Sequence, residues 1–147
     1  MLKKLALAAV ISVAAAPAWA QSSCGGEPIP PAIPSVAELG QMPPAAALKA
    51  KHQAFVDVTT WQKGGLKDYR SCLEADESQV KRDRANAASI SKPDQDKLKR
   101  LDGQIADDEK ANQRSADTEE HVVNDFKALS TAFCDRTDVD KTSCPKT

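Results

Sequence analysis

Across 147 residues, 20 Lys and Arg stand against 21 Asp and Glu, so the chain has no basic excess of the kind that nucleic acid or an anionic membrane surface attracts. Aromatic residues make up only 4% of it, too few for a broad globular core, whereas a helical hairpin needs only a narrow apolar stripe. A single domain is the default at this length.

Residues 1–20 have the order of a secretory signal peptide. Lys3 and Lys4 precede an apolar run from Leu5 to Ala16, and Pro17 leads into the small-residue exit Ala18-Trp19-Ala20. This predicts cleavage after Ala20 and a periplasmic or secreted location. The apolar run is shorter than the roughly 18 residues of a membrane span, so no span is expected after cleavage. A lipid anchor on Cys24 is excluded, because Gln21 stands where that signal requires an aliphatic residue. Loss of Lys3 and Lys4 leaves 18 basic against 21 acidic residues, a mildly acidic mature chain.

Residues 21–44 form a proline-rich arm. Pro28, Pro30, Pro31, Pro34, Pro43 and Pro44 remove backbone donors and hold the chain extended. Within it, Ser35-Val36-Ala37-Glu38 reads as a capping box that supports one helical turn before Gly40.

Residues 45–134 read as an all-α, long antiparallel two-helix hairpin of coiled-coil type. The first helix follows Pro43-Pro44, and its apolar positions Leu48, Phe55, Val58, Trp61, Leu66, Tyr69, Cys72, Leu73 and Val80 recur at steps of three and four. Gly64-Gly65 interrupts it, which predicts a kink or a close helix contact. Ser91-Lys92-Pro93-Asp94 supplies a cap-like serine, an early proline and an acid for the start of the second helix. That helix carries Leu98, Leu101, Ile105, Val122, Phe126, Leu129 and Phe133 on one stripe, broken by Asp108, Asn112, Ser115 and Glu119. Folding about Ile90 sets Leu48 opposite Phe133, Phe55 opposite Phe126, Val58 opposite Val123 and Val80 opposite Leu101. Two apolar zones with a polar middle result, and two helices alone leave their stripes half covered. The polar middle either faces a partner or water and fixes register, or marks a place where the helices splay. Residues 135–147 form a short C-terminal tail.

Cys24, Cys72, Cys134 and Cys144 all lie in the exported part, and their even number points to two disulfides. No CxxC pair or zinc-type spacing competes with that reading. In a straight hairpin Cys134 lies about 37 Å of helix away from Cys72, so these two cannot bond. The arm is long enough to run back along the first helix and bring Cys24 to Cys72, leaving Cys134 to close a small loop with Cys144.

No motif demands a particular chemistry, and the sequence calls for no cofactor or metal. His52 and His121, the two histidines, sit roughly ten ångströms apart in the hairpin register, and His121 is one turn from Asp117 as in a surface ion pair. Asp138-Val139-Asp140-Lys141-Thr142 begins like a calcium loop but has Ser143 where glycine is required. Acid clusters such as Asp107-Asp108-Glu109 and Glu119-Glu120 read as a solvated face, with Glu77–Lys81 and Asp96–Arg100 spaced as supporting pairs.

Cys24-Gly25-Gly26 with its prolines, the helix segment Tyr69-Arg70-Ser71-Cys72-Leu73-Glu74 and the charged second helix together resemble small exported proteobacterial proteins of unknown function with a Tyr-x-x-Cys helix. The resemblance covers about Cys24 to Phe133. It implies the Cys24–Cys72 pairing, treats Cys134 and Cys144 as an addition, and brings no activity with it.

The expectation is therefore a non-enzymatic envelope interaction or binding protein with a protein partner or self-association. Its interaction face is the uncovered stripe at Phe55, Val58, Trp61, Val122 and Phe126. The alternative is a small periplasmic hydrolase with a carboxylate site.

Overall fold

The computed structural model describes residues 23–144, so the signal-type segment lies outside the described residues. Among those residues the chain is helical and has no strand.

The arm ends in a short helix, α1 (Val36–Gln41), at the expected capping box. Ser35 Oγ accepts from the Glu38 amide at 3.2 Å, and the Glu38 carboxylate accepts from the Ser35 amide at 2.7 Å. These two bonds satisfy donors that a helix start would otherwise leave free. Leu39, carried on this turn, is 1% exposed.

α2 (Pro44–Trp61) begins with proline at its first position, where the missing amide costs nothing. It continues across a kink, in a π-helical segment Gln62–Leu66, into α3 (Lys67–Ala88). The expected interruption at Gly64-Gly65 is this wider turn. Gly64 leaves helical geometry (φ −104°, ψ −106°), while a Cβ on Gly65 would stand 3.2 Å from Pro28 Cβ. The close approach is thus to the arm and not to the second helix.

α4 (Gln95–Asp135) starts one short turn later, and its cap is Asp94, not Ser91. The Asp94 carboxylate accepts from the amides of Asp96 and Lys97 at 3.0 and 3.1 Å. Its negative charge suits the positive end of the helix better than a hydroxyl does. The Asp96 amide serves this cap, and the anticipated Asp96–Arg100 pair is not among the ion pairs of the described residues, whereas Glu77–Lys81 is.

α4 packs along both α2 and α3. Phe55 lies against Phe126 with ring centroids 6.0 Å apart, Gln62 and Arg70 reach Glu119, and Arg84 reaches Asp102. Partner numbers on α4 fall as those on α2 and α3 rise. The expected Phe55–Phe126 contact is present, whereas Val58 clusters with Val122 and not with Val123. Beyond the π turn the numbering of the contacts shifts, with Leu73 packing on Ala111 and Arg84 reaching Asp102.

Three apolar clusters follow one another along the seam. Leu39, Ala47, Ala54, Leu129 and Phe133 fill the open end, with Ile33 and Phe126 against them. Val58, Trp61, Leu66 and Val122 come next, again with Ile33, and Tyr69, Leu73 and Ala111 pack under Cys24. The arm therefore supplies a third layer to a core that two helices leave short. It is held by the Cys24–Cys72 disulfide and by the Trp61 indole, which donates to the Pro28 carbonyl at 3.2 Å.

The second disulfide, Cys134–Cys144, folds the tail back on the end of α4. Arg136 makes a two-pronged contact with Asp138 and donates to the Leu39 carbonyl at 2.7 Å, tying tail to arm. Asp140 accepts from the Thr142 amide and caps a 3-10 turn, Lys141–Ser143. The acids that resembled a calcium loop thus have structural partners.

Loop-closure entropy predicts unequal effects for the two bridges, whose sequence separations are 48 and 10. Replacing Cys24 and Cys72 together by Ser is expected to cost about 4 kcal/mol, and the Cys134/Cys144 double replacement about 3 kcal/mol. Urea unfolding of the two variants beside the parent measures both.

Candidate interaction groove

The five residues of the expected face do not share one exposed surface. Val58, Trp61 and Val122 are buried, at 5%, 8% and 6% exposure. Ile33 of the arm packs against their cluster, and the indole N–H of Trp61 is taken by Pro28. The stripe is covered because the proline-rich arm, pinned at Cys24, lies over it. Phe55 remains 54% exposed, and Phe126 is half-buried beside it.

That aromatic pair forms one wall of a groove of about 530 Å³. α2 contributes Leu48, Lys51, His52 and Phe55, α4 contributes Phe126 and Ser130, and the tail contributes Thr142, Ser143 and Cys144. The amphipathic period of α2 places Leu48, Lys51, His52 and Phe55 on one side at steps of one, three and four. The Cys134–Cys144 bridge holds the tail over them as a roof. Leu48 is 39% exposed, so the apolar lining is accessible.

Lys51 is the unusual member of this lining, at 7% exposure. Its ammonium donates to the Ser143 carbonyl at 2.8 Å, lies 4.8 Å from the centroid of the Phe133 ring, and makes a long 3.8 Å contact with Cys134 Sγ. All three partners are neutral. Burial accordingly lowers the pKa of Lys51. Nothing in the sequence marks Lys51; the one signal toward it is the Cys134–Cys144 pairing, which obliges the tail to lie on α4.

The polar middle of the second helix is drawn into the seam between α3 and α4. Ser115 is fully buried and accepts from Arg70 Nε at 2.8 Å while donating to the Asn112 carbonyl at 2.7 Å. Arg70 also pairs with Glu119 at 2.6 Å, and Gln62 donates to the same carboxylate at 2.7 Å. The Arg70 hydrogen bond holds the Glu119 carboxyl below its ordinary pKa against the opposing effect of burial. Asp108 is different. It is 4% exposed, its Oδ2 has no partner among the described residues, and burial, reinforced by the negative charges of Asp76, Glu77 and Asp107, raises its pKa. Asp108 and Glu119 are about 16 Å apart along α4 by helical rise, so the fold does not bring these two carboxylates together. His121 makes no ion pair with Asp117, which instead accepts from Gln113 at 2.8 Å.

Compared with known proteins, the chain matches no protein family, no curated protein and no solved structure.

Trp61→Ala is expected to act on stability, at a cost of about 3 to 5 kcal/mol for a buried Trp, and denaturant unfolding reads it. Asp108→Asn should have the opposite sign at neutral pH. A carboxyl whose pKa is raised in the folded state adds stability that is complete below its unfolded value, about 3.9, and is lost as pH rises through the folded value. The Asn variant should therefore melt above the parent at pH 7, with the advantage gone near pH 3; an equal or lower melting temperature at pH 7 contradicts the reading.

Proposed function

We propose that the protein is an exported, disulfide-stabilised, non-enzymatic binding protein of the cell envelope, built as a long antiparallel helical hairpin with the arm as its third layer. The falling and rising contact numbers along the helices support the hairpin. Two disulfides suit an oxidising compartment, in keeping with the signal-type sequence of residues 1–20. Among the described residues no helix is long and apolar enough to cross a membrane.

The observation that carries the binding role is the groove at Phe55 and Phe126. A half-exposed Phe on a helix, next to Leu48 and beneath a disulfide-held roof, leaves apolar surface that an occupant would cover. In this reading the uncovered Phe55 end is where a protein partner or a second copy of the chain engages the molecule. The rest of the expected face serves the core.

A photo-cross-linking residue at Phe55 in the envelope of expressing cells is expected to trap a discrete partner, whereas one at the exposed Arg82 on the far end traps none. Phe55→Ala and Phe126→Ala should each weaken that association about tenfold, as for ordinary interface anchors. Equal trapping from both positions, or from neither, removes the proposal.

A further inference from the structure

The lining of the groove is selective in charge. Its ionisable side chains are Lys51 and His52, its other polar side chains are the hydroxyls of Ser130, Thr142 and Ser143, and no carboxylate lines it. This occurs in a chain with more acids than bases. Every one of these side chains can donate a hydrogen bond to an oxyanion.

Lys51 adds an independent observation. It is nine-tenths buried, and no carboxylate pairs with it among the described residues. The contacts of its ammonium, Ser143 O, Cys134 Sγ and the face of the Phe133 ring, are all neutral, so no opposite charge meets it. Buried charges are ordinarily paired, and an anion at the mouth of the groove would supply what the fold withholds. Phe55 stands one turn of α2 beyond Lys51, about 6 Å along the axis. It extends the site into an apolar wall with Leu48 and Phe126. The volume falls in the range of small-molecule sites, which are mostly apolar with a few convergent polar groups.

We propose that the groove binds a single-chain amphiphilic carboxylate, with the carboxylate at Lys51, Thr142 and Ser143 and the hydrocarbon chain along Leu48, Phe55 and Phe126. This rests on the reading of the groove as a binding surface and goes beyond it, adding a small-molecule ligand to the protein partner that engages the Phe55 end. The neutral contacts of Lys51 hold the ammonium in place before the ligand arrives, so little side-chain ordering is left for binding to bring about. The exposed His52 adds a second donor at the rim.

The test is calorimetric titration of the intact, oxidised protein with laurate below its micelle-forming concentration, beside dodecanol and dodecyltrimethylammonium. Laurate is expected to bind in the micromolar range, and the neutral and cationic analogues at least about tenfold more weakly. Lys51→Met should bring laurate to the level of dodecanol. Because Lys51 is buried, Phe55→Asp at the exposed wall serves as the second variant: it should abolish laurate binding without altering thermal unfolding. Equal affinity for laurate and dodecanol, or unchanged laurate binding in Lys51→Met, overturns the anion assignment, and unchanged binding in Phe55→Asp overturns the placing of the hydrocarbon chain. No laurate binding to the parent overturns the ligand class. If the Phe55 cross-link still traps a partner in that case, the binding role stands and only the ligand falls.

Discussion

The packing of this protein depends on one covalent constraint, the link between Cys24 in the arm and Cys72 in the middle of α3. Two helices with narrow apolar stripes cannot enclose a core, and a chain with 4% aromatic residues has little to spend on one. The disulfide fixes the far end of an arm whose near end is the start of α2. Everything between is then obliged to lie along the seam. Ile33 and Leu39 enter the clusters on those terms, and Trp61 finds in Pro28 an acceptor for its indole N–H. Proline suits the arm because it limits the freedom lost on docking and has no amide to bury unpaired.

The same seam accommodates polar groups in two contrasting ways. Arg70 gathers Ser115 and Glu119 into a network in which each bond helps to satisfy a group withdrawn from water. Such a network tolerates burial because its charged members meet as a pair, although Arg70 Nη2 has no partner among the described residues. Lys51 and Asp108 are withdrawn from water without an opposite charge, one at the open end and the other toward the turn. Burial pushes both toward the neutral form, the lysine downward in pKa and the aspartate upward. They differ in what surrounds them. Lys51 borders a groove that is open to a ligand, whereas Asp108 faces further acids across the seam.

Much of the helical framework was legible in the sequence. The three-and-four spacing of Phe55, Val58, Trp61 and Leu66 marked a buried stripe, Ser35-Val36-Ala37-Glu38 marked a helix start, and the reach of the arm marked the disulfide pairing. The exposure of that stripe was not legible. Periodicity says that Val58, Trp61 and Val122 want cover, and it is silent on whether a partner or the chain itself supplies it. The Pro28 carbonyl beneath Trp61 has no sequence signature, nor has the change of cap from Ser91 to Asp94. The site was legible only in Phe55 and Phe126. Lys51 has no sequence signature, since its burial depends on a roof that is distant in sequence.

The open end is closed by contacts between the most distant parts of the described chain: Lys51 with Ser143, 92 residues apart, and Leu39 with Arg136, 97 apart. Helical proteins ordinarily fold fast because their contacts are local, and long closures are the slow, entropically expensive steps. Here α3 and α4 meet across a short turn, whereas the groove is complete only when the tail has closed on α2 and α4. The part of the molecule with its accessible apolar lining therefore depends on long closures that the α3–α4 pair does not need.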